Sequence, residues 1–158
     1  MVEHTGESKN ERLTRNVNEL LQELRVAQAG VQILFGFLLT VVFTDEFHEA
    51  SGFEKAVHLS AVVLTVSSTV LLTAPAAWHR LLFRTGAREQ ILTVGNRSVL
   101  AGLGCLAAAI TTTVTLIGKV VYGPIAMIVL GVVSASLFVV MWFLVPRRIG
   151  REMDDDTA

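Results

Sequence analysis

Four stretches of the chain carry no Asp, Glu, Lys or Arg over about the thickness of a bilayer. A membrane-spanning helix needs roughly 20 consecutive apolar residues, whereas each helix of a soluble bundle shows a charged face. The composition agrees, because 52% of the residues are hydrophobic and the mean hydropathy is +0.57. The sequence therefore predicts an all-α integral membrane four-helix bundle, with spans at about residues 26–44, 56–77, 98–118 and 122–145.

The predicted bundle is a single transmembrane domain, residues 13–146, between a disordered N-terminus, 1–12, and a disordered C-terminal tail, 147–158. Eleven of the 13 Lys and Arg residues lie in the N-terminal arm, the middle loop or the C-terminus, and only Lys55 and Lys119 lie on the other side. Cytoplasmic loops are enriched in Lys and Arg. We therefore expect a multi-pass protein of the cell membrane with both termini in the cytoplasm.

The middle loop, "APAAWHRLLFRTGAREQILTVGNRS", mixes bulky apolar groups with cations. Pro75 removes one backbone hydrogen bond near the end of the second helix. Each cation at an anionic membrane surface contributes about 1 kcal/mol of binding. The loop is therefore interpreted as a basic membrane-surface segment, and its candidate residues are His79, Arg80, Arg84, Arg88 and Arg97.

The first helix carries an apolar seam with steps of four and three residues. Such a seam is typical of a helix packed against a partner along its length. It predicts one continuous helix from about Leu13 to Phe43, about 45 Å long, which would extend beyond the bilayer core into the cytoplasm. An arm that lies on the membrane surface, hinged at Gly30, is the alternative. The seam residues are Leu13, Val17, Leu20, Leu24, Ala27, Val31, Leu34 and Leu38.

A polar stripe lies opposite this seam, and its candidate functional residues are Arg25, Gln28 and Gln32. A glutamine amide that faces lipid has no hydrogen-bond partner. The two glutamines are therefore expected to face another helix or a wet cavity, while the seam faces a different helix. Contacts on both faces would make the first helix central in the assembly.

Hydroxyl groups recur within the predicted spans. Thr65, Thr69 and Thr73 follow one another at four-residue spacing, and Thr111 begins a cluster in the third span. Such hydroxyls can line an aqueous path, or they can bond to the carbonyl four residues earlier in their own helix. The sequence leaves both roles open.

No constellation of residues predicts an enzyme. His48 and His58 lie among the acids of the first outer loop, but without metal-ligand spacing, and they are interpreted as part of a solvated loop. No phosphate loop, and no nucleophile with its base, is present. We expect no catalytic residue, no metal and no cofactor. The net charge of −1 gives no general attraction to nucleic acid.

"RLTRNVNELLQELRVAQAGVQILFGFLLT", followed by "APAAWHRLLFR", resembles a family of small bacterial membrane proteins. The resemblance extends over almost the full length: an LNELLQELRV-type arm, four spans and a basic H-R-x-L-F-R loop. Some members are labelled sodium:proton antiporters, so the resemblance implies cation transport as a candidate function. It supplies no catalytic or binding residues.

Two functions are compatible with these features. The first is a non-enzymatic scaffold or interaction protein whose partners are the lipid bilayer and a second copy of itself or another membrane protein, joined through the first helix. The alternative is a small cation transporter or channel in which the hydroxyls and glutamines line the route. Proton-coupled transporters carry a titrating group at membrane depth, whereas all 14 acids here lie in the arm, the loops or the tail. The first function is therefore preferred.

Overall fold

The computed structural model describes residues 9–82 and 88–149, and it confirms the all-helical fold. The helices are α1 (Lys9–Val41), α2 (Asp45–Glu49), α3 (Gly52–Leu82), α4 (Arg88–Tyr122) and α5 (Pro124–Val139), which continues as a π-helical turn, Val140–Leu144. Four apolar segments are long enough to cross a membrane: Leu24–Val41, Gly52–Trp78, Val94–Tyr122 and Pro124–Ile149.

Helix α1 is continuous over 33 residues, about 50 Å at 1.5 Å per residue. It runs through Gly30 without a break, as the continuous interpretation predicts and the hinged one does not. It starts at Lys9, inside the N-terminal stretch 1–12 of the predicted domain organisation, and residues 1–8 lie outside the described part. Leu24, Val31 and Leu38 of the seam are all buried, and α1 contacts α3 and α4.

Helix α4, rather than α1, is central within the chain. It packs along α3 over the most extensive interface and also contacts α1 and α5. The reason is that α4 has close-packing residues on two sides. An added Cβ at Gly102 would lie 2.9 Å from Leu72 of α3, and one at Gly118 would lie 2.9 Å from Leu130 of α5. The central position of the first helix in an assembly of several copies stays a prediction.

Helices α4 and α5 are antiparallel neighbours, as their short connection predicts. Gly123 has a φ of 90°, a conformation that glycine adopts without steric cost, and Pro124 starts the next helix. An added Cβ at Gly131 of α5 would lie 2.7 Å from the Thr115 hydroxyl of α4. The two backbones therefore approach closely where these glycines lie.

Most of the predicted middle loop is helical. Helix α3 continues through Pro75 to Leu82, and α4 starts at Arg88, ten residues before the predicted span. Leu, Arg, Glu and Gln, which dominate both segments, are good helix formers, so the helices extend beyond the apolar core. Residues 83–87 lie outside the described part.

Candidate functional site

The two glutamines of α1 have different environments. Gln28 is half-buried, and its Nε2 donates to the Leu72 carbonyl of α3 at 3.4 Å. Gln32 is exposed, as is Arg25, and no hydrogen bond joins Gln32 to any residue that the structure describes. Within one chain, the expectation that the glutamines face protein therefore holds for Gln28 and not for Gln32.

Helices α3 and α4 are joined by hydrogen bonds to backbone carbonyls. In a helix, the N–H of residue 75 would bond to the Leu71 carbonyl, but Pro75 has no N–H. The Ser98 hydroxyl of α4 donates to this Leu71 oxygen at 2.8 Å. Nearby, the Ser68 hydroxyl of α3 donates to the Gly102 carbonyl of α4, also at 2.8 Å. The carbonyl left without a helical donor by Pro75 is therefore satisfied from the neighbouring helix.

The predicted hydroxyls do not lie along a common path. Thr65, Thr69 and Thr73 each donate to the carbonyl four residues earlier in α3, at 2.8, 2.9 and 2.8 Å. Thr111 instead lines a groove of about 830 Å³ between α4 and α5, together with apolar side chains such as that of Phe138. The three hydroxyls of α3 thus serve their own helix.

The basic segment is described only in part. Arg80, near the end of α3, and Arg97, on α4, are both exposed. The side chains of His79 and Arg88 lie outside the described part of the chain, as does all of Arg84. A basic surface formed by the five residues stays a prediction.

A cavity of about 170 Å³, here called the α2 chamber, lies between the end of α1, α2, the start of α3 and the end of α4. Its walls are almost entirely apolar. The lining residues include Phe37, Leu38, Phe47, His58, Leu116 and Val121. Helix α2 covers one side of the chamber. Its start is capped by the Thr44 hydroxyl, which accepts from the Phe47 N–H, and Lys55 donates to the His48 carbonyl near its end at 2.9 Å.

His58 is buried in the wall of this chamber and is 4% exposed. Its ring meets the Phe47 ring edge to face, with centroids 4.8 Å apart. The ring nitrogen Nε2 is buried and has no hydrogen-bond partner among the residues that the structure describes. The interpretation of His58 as part of a solvated loop was therefore wrong, because His58 lies in the second turn of α3.

A sequence signal for this helix start was present in "SGFE". The Ser51 hydroxyl and N–H both donate to the Glu54 carboxylate at 2.7 Å, and the Glu54 N–H donates to the Ser51 hydroxyl at 3.3 Å. Ser followed three residues later by Glu is the capping box that starts many helices. Recognising it would have placed His58 inside α3.

The rim of the chamber carries an ion pair between α3 and α4. Lys119 Nζ lies 3.5 Å from a Glu54 carboxylate oxygen and 4.2 Å from the centre of the Phe53 ring. A cation over an aromatic face is attracted by the ring's quadrupole. These contacts join the end of α4 to the start of α3 beside the chamber.

Four apolar helices that are long enough to cross a membrane are the pattern of a small four-span helical membrane protein. The sequence profile of DUF6328, a family of unknown function, matches residues 6–146. The chain therefore belongs to this family. No curated protein and no solved structure matches the chain.

Proposed function

We propose that this protein is a non-enzymatic membrane scaffold or interaction protein that self-associates through the polar stripe of α1. The observation that carries the proposal is the exposure of Gln32 in the middle of the span Leu24–Val41. Lipid offers an amide no hydrogen bond. An amide both donates and accepts, so Gln32 of one copy can pair with Gln32 of a second copy across a two-fold axis.

The surroundings of Gln32 favour close approach of two helices. Ala29 and Gly36 are exposed on the same face of α1 as Gln32, and an added Cβ at Gly36 would meet nothing within 4 Å. Small residues let membrane helices approach until their backbones are in contact. The apolar seam of α1 is already used inside the chain, so a second copy is expected on the opposite face.

A cation transporter remains the alternative, and its support is weaker. The hydroxyls of Thr65, Thr69 and Thr73 are bonded to their own helix, and Thr111 lines a groove that the three do not line. We expect vesicles that contain only this protein to show no sodium-dependent proton flux. Robust flux that is abolished by a single substitution in the chain would favour transport instead.

Cross-linking tests the proposed interface directly. With Cys105 replaced by Ala, we expect Ala29→Cys to form disulfide-linked dimers in membranes on mild oxidation. The matched control is Val63→Cys, on the exposed face of α3, which should stay monomeric under the same conditions. Equal cross-linking of both variants, or none of either, would contradict self-association through α1.

Removal of the amide tests the role of Gln32. Gln32→Leu should lower the share of oligomer on size exclusion in mild detergent, because one interhelical amide bond contributes about 0.6 kcal/mol and at most about 2 kcal/mol in membranes. Thr73→Leu is the control, since this exposed hydroxyl is bonded within its own helix. An unchanged or larger oligomer share for Gln32→Leu would show that the amide faces lipid.

A further inference from the structure

The groove between α4 and α5, here called the α4–α5 groove, is a surface that the proposed self-association does not use. It has a volume of about 830 Å³ and mostly apolar walls. Gly104 and Ala108 line it from α4, and Phe138 and Trp142 line it from α5 and its π-helical turn. The small residues of α4 leave the space, and the two aromatic rings border it. The groove therefore offers an apolar surface to an elongated occupant.

The length of the groove matches one leaflet of a bilayer. On α4 its lining residues extend from Leu100 to Thr112, about 18 Å at 1.5 Å per residue. Half of the hydrocarbon core is about 15 Å thick. Beyond Thr112 the helices approach closely, because an added Cβ at Gly131 would lie 2.7 Å from the Thr115 hydroxyl. A helix of a second copy would cross both leaflets, whereas an acyl chain extends through one.

The aromatic side of the groove is held by contacts within the chain. The Trp142 ring meets the Phe138 ring edge to face, with centroids 5.3 Å apart, an arrangement that aromatic pairs prefer. Trp142 lies in the π-helical turn Val140–Leu144, and such turns occur frequently at functional sites. Because Trp142 is held at the side of the groove, its fluorescence can report on an occupant.

Three arginines lie at one end of the groove. Arg97 comes three residues, or about one helical turn, before the lining residue Leu100, and Arg147 and Arg148 follow the lining residue Pro146. The antiparallel course of α4 and α5 brings all three to the same end. Each is exposed, and none is paired with a carboxylate in the part of the chain that the structure describes. Guanidinium groups bind phosphate oxygens well, because two N–H groups can donate in parallel.

We propose that the α4–α5 groove binds one anionic phospholipid, with an acyl chain in the groove and its phosphate bound by Arg97, Arg147 and Arg148. Basic pockets between membrane helices bind anionic headgroups in this way. A soluble phosphate would use only the arginines, and an uncharged lipid would use only the apolar groove. An anionic phospholipid is complementary to both features and to the length of one leaflet.

Quenching of Trp142 fluorescence tests this site in the full chain. The protein has two tryptophans, so Trp78→Phe leaves Trp142 as the reporter. In phosphatidylcholine vesicles, part of the lipid is replaced by phosphatidylglycerol or phosphatidylcholine with identical chains brominated at mid-chain, which quench tryptophan at short range. We expect phosphatidylglycerol to bind about fivefold tighter, the ratio that one cation contributes at an anionic surface.

Three outcomes of this measurement would overturn the proposal. Equal binding of the two lipids would mean ordinary lipid in the groove, and no quenching by either would mean that protein covers it. Loss of the preference on adding millimolar glycerol phosphate, which has no acyl chain, would assign the arginines to a soluble phosphate. The Trp142→Phe protein is the control, because its remaining Trp78 lies outside the groove. An equal preference at Trp78 would show general attraction of anionic lipid and would also overturn the proposal.

Variants separate the two parts of the site. Arg147→Gln combined with Arg148→Gln should reduce the lipid preference at Trp142 to less than about twofold. Ala108→Phe adds bulk to an exposed lining residue and should weaken quenching severalfold. Ala77→Phe is its matched control, since Ala77 is exposed on α3 and lies outside the groove. A preference that survives the arginine substitutions, or quenching that Ala108→Phe leaves unchanged, would contradict the site. None of these changes touches the α1 stripe, so cross-linking through Ala29→Cys reports separately on self-association.

Discussion

Proline within a membrane helix leaves a carbonyl that must find a donor, because the bilayer core offers no water. Pro75 is buried in α3, and the carbonyl affected, that of Leu71, accepts from Ser98 on α4. The Gln28 amide donates to the adjacent Leu72 carbonyl from α1. Near Pro75, α1 and α4 therefore both donate hydrogen bonds to main-chain oxygens of α3. Ser98 therefore has a role that hydroxyls bonded within their own helix do not share.

Ser98→Ala should lower the free energy of unfolding by about 1–2 kcal/mol, because it leaves the Leu71 carbonyl without a donor. The cost should fall below about 0.5 kcal/mol when Pro75 is also replaced by Ala, since the restored N–H can then bond to Leu71. Unfolding by SDS in mild-detergent micelles measures all four proteins of this cycle.

Ser60→Ala is the matched control for this cycle. Its hydroxyl is exposed and donates to the Ala56 carbonyl of its own helix, so its loss should change stability by less than about 0.5 kcal/mol. If the effects of Ser98→Ala and Pro75→Ala were simply additive, Ser98 would not be compensating for the proline.

Among the elements, glycine positions determine how closely the helices pack. Small residues at four-residue spacing, Ala101, Cys105 and Ala109, predict a packing face on α4. Of these three, only Ala109 is buried, while Gly102, next to Ala101, carries the contact with α3. Composition therefore predicts the four spans, and the seam predicts which face of α1 packs against other helices. They do not predict which face of α4 meets α3, because every face of α4 is apolar or small.

Gly102→Ala should destabilise the protein by about 1–3 kcal/mol, because the added Cβ would lie 2.9 Å from Leu72 Cγ and 3.1 Å from Leu71 Cβ. Leu72 is 0% exposed and has no free space into which to move. Gly104→Ala is the control on the same helix, since an added Cβ there meets nothing within 4 Å. It should be neutral or slightly stabilising. Equal destabilisation by the two substitutions, measured by SDS titration, would place the α3–α4 contact elsewhere on α4.

For the whole molecule, the sequence predicts more about architecture than about sites. Hydropathy predicts the spans because bilayer thickness sets a length that chain composition must match. It does not predict the α2 chamber, since the chamber depends on the capping box that places His58 inside α3 and on Phe47 of the short helix α2 contacting the His58 ring. Likewise, the exposure of Gln32 depends on which face of α1 meets α3 and α4. The orientation of the protein in the membrane is predicted by the distribution of its basic residues, and hydropathy does not predict it.

The distribution of basic residues predicts that α2 lies outside the cell and that the start of α4 lies in the cytoplasm. With Cys105 replaced by Ala, Asp45→Cys places a thiol on α2 at an exposed position, and Arg88→Cys places one at the first residue of α4. In intact cells, an impermeant maleimide should label Asp45→Cys and leave Arg88→Cys unlabelled. After the cells are permeabilised, both should be labelled, which controls for thiol reactivity. Labelling of Arg88→Cys but not Asp45→Cys in intact cells would invert the topology, and the α2 chamber would then lie on the cytoplasmic side.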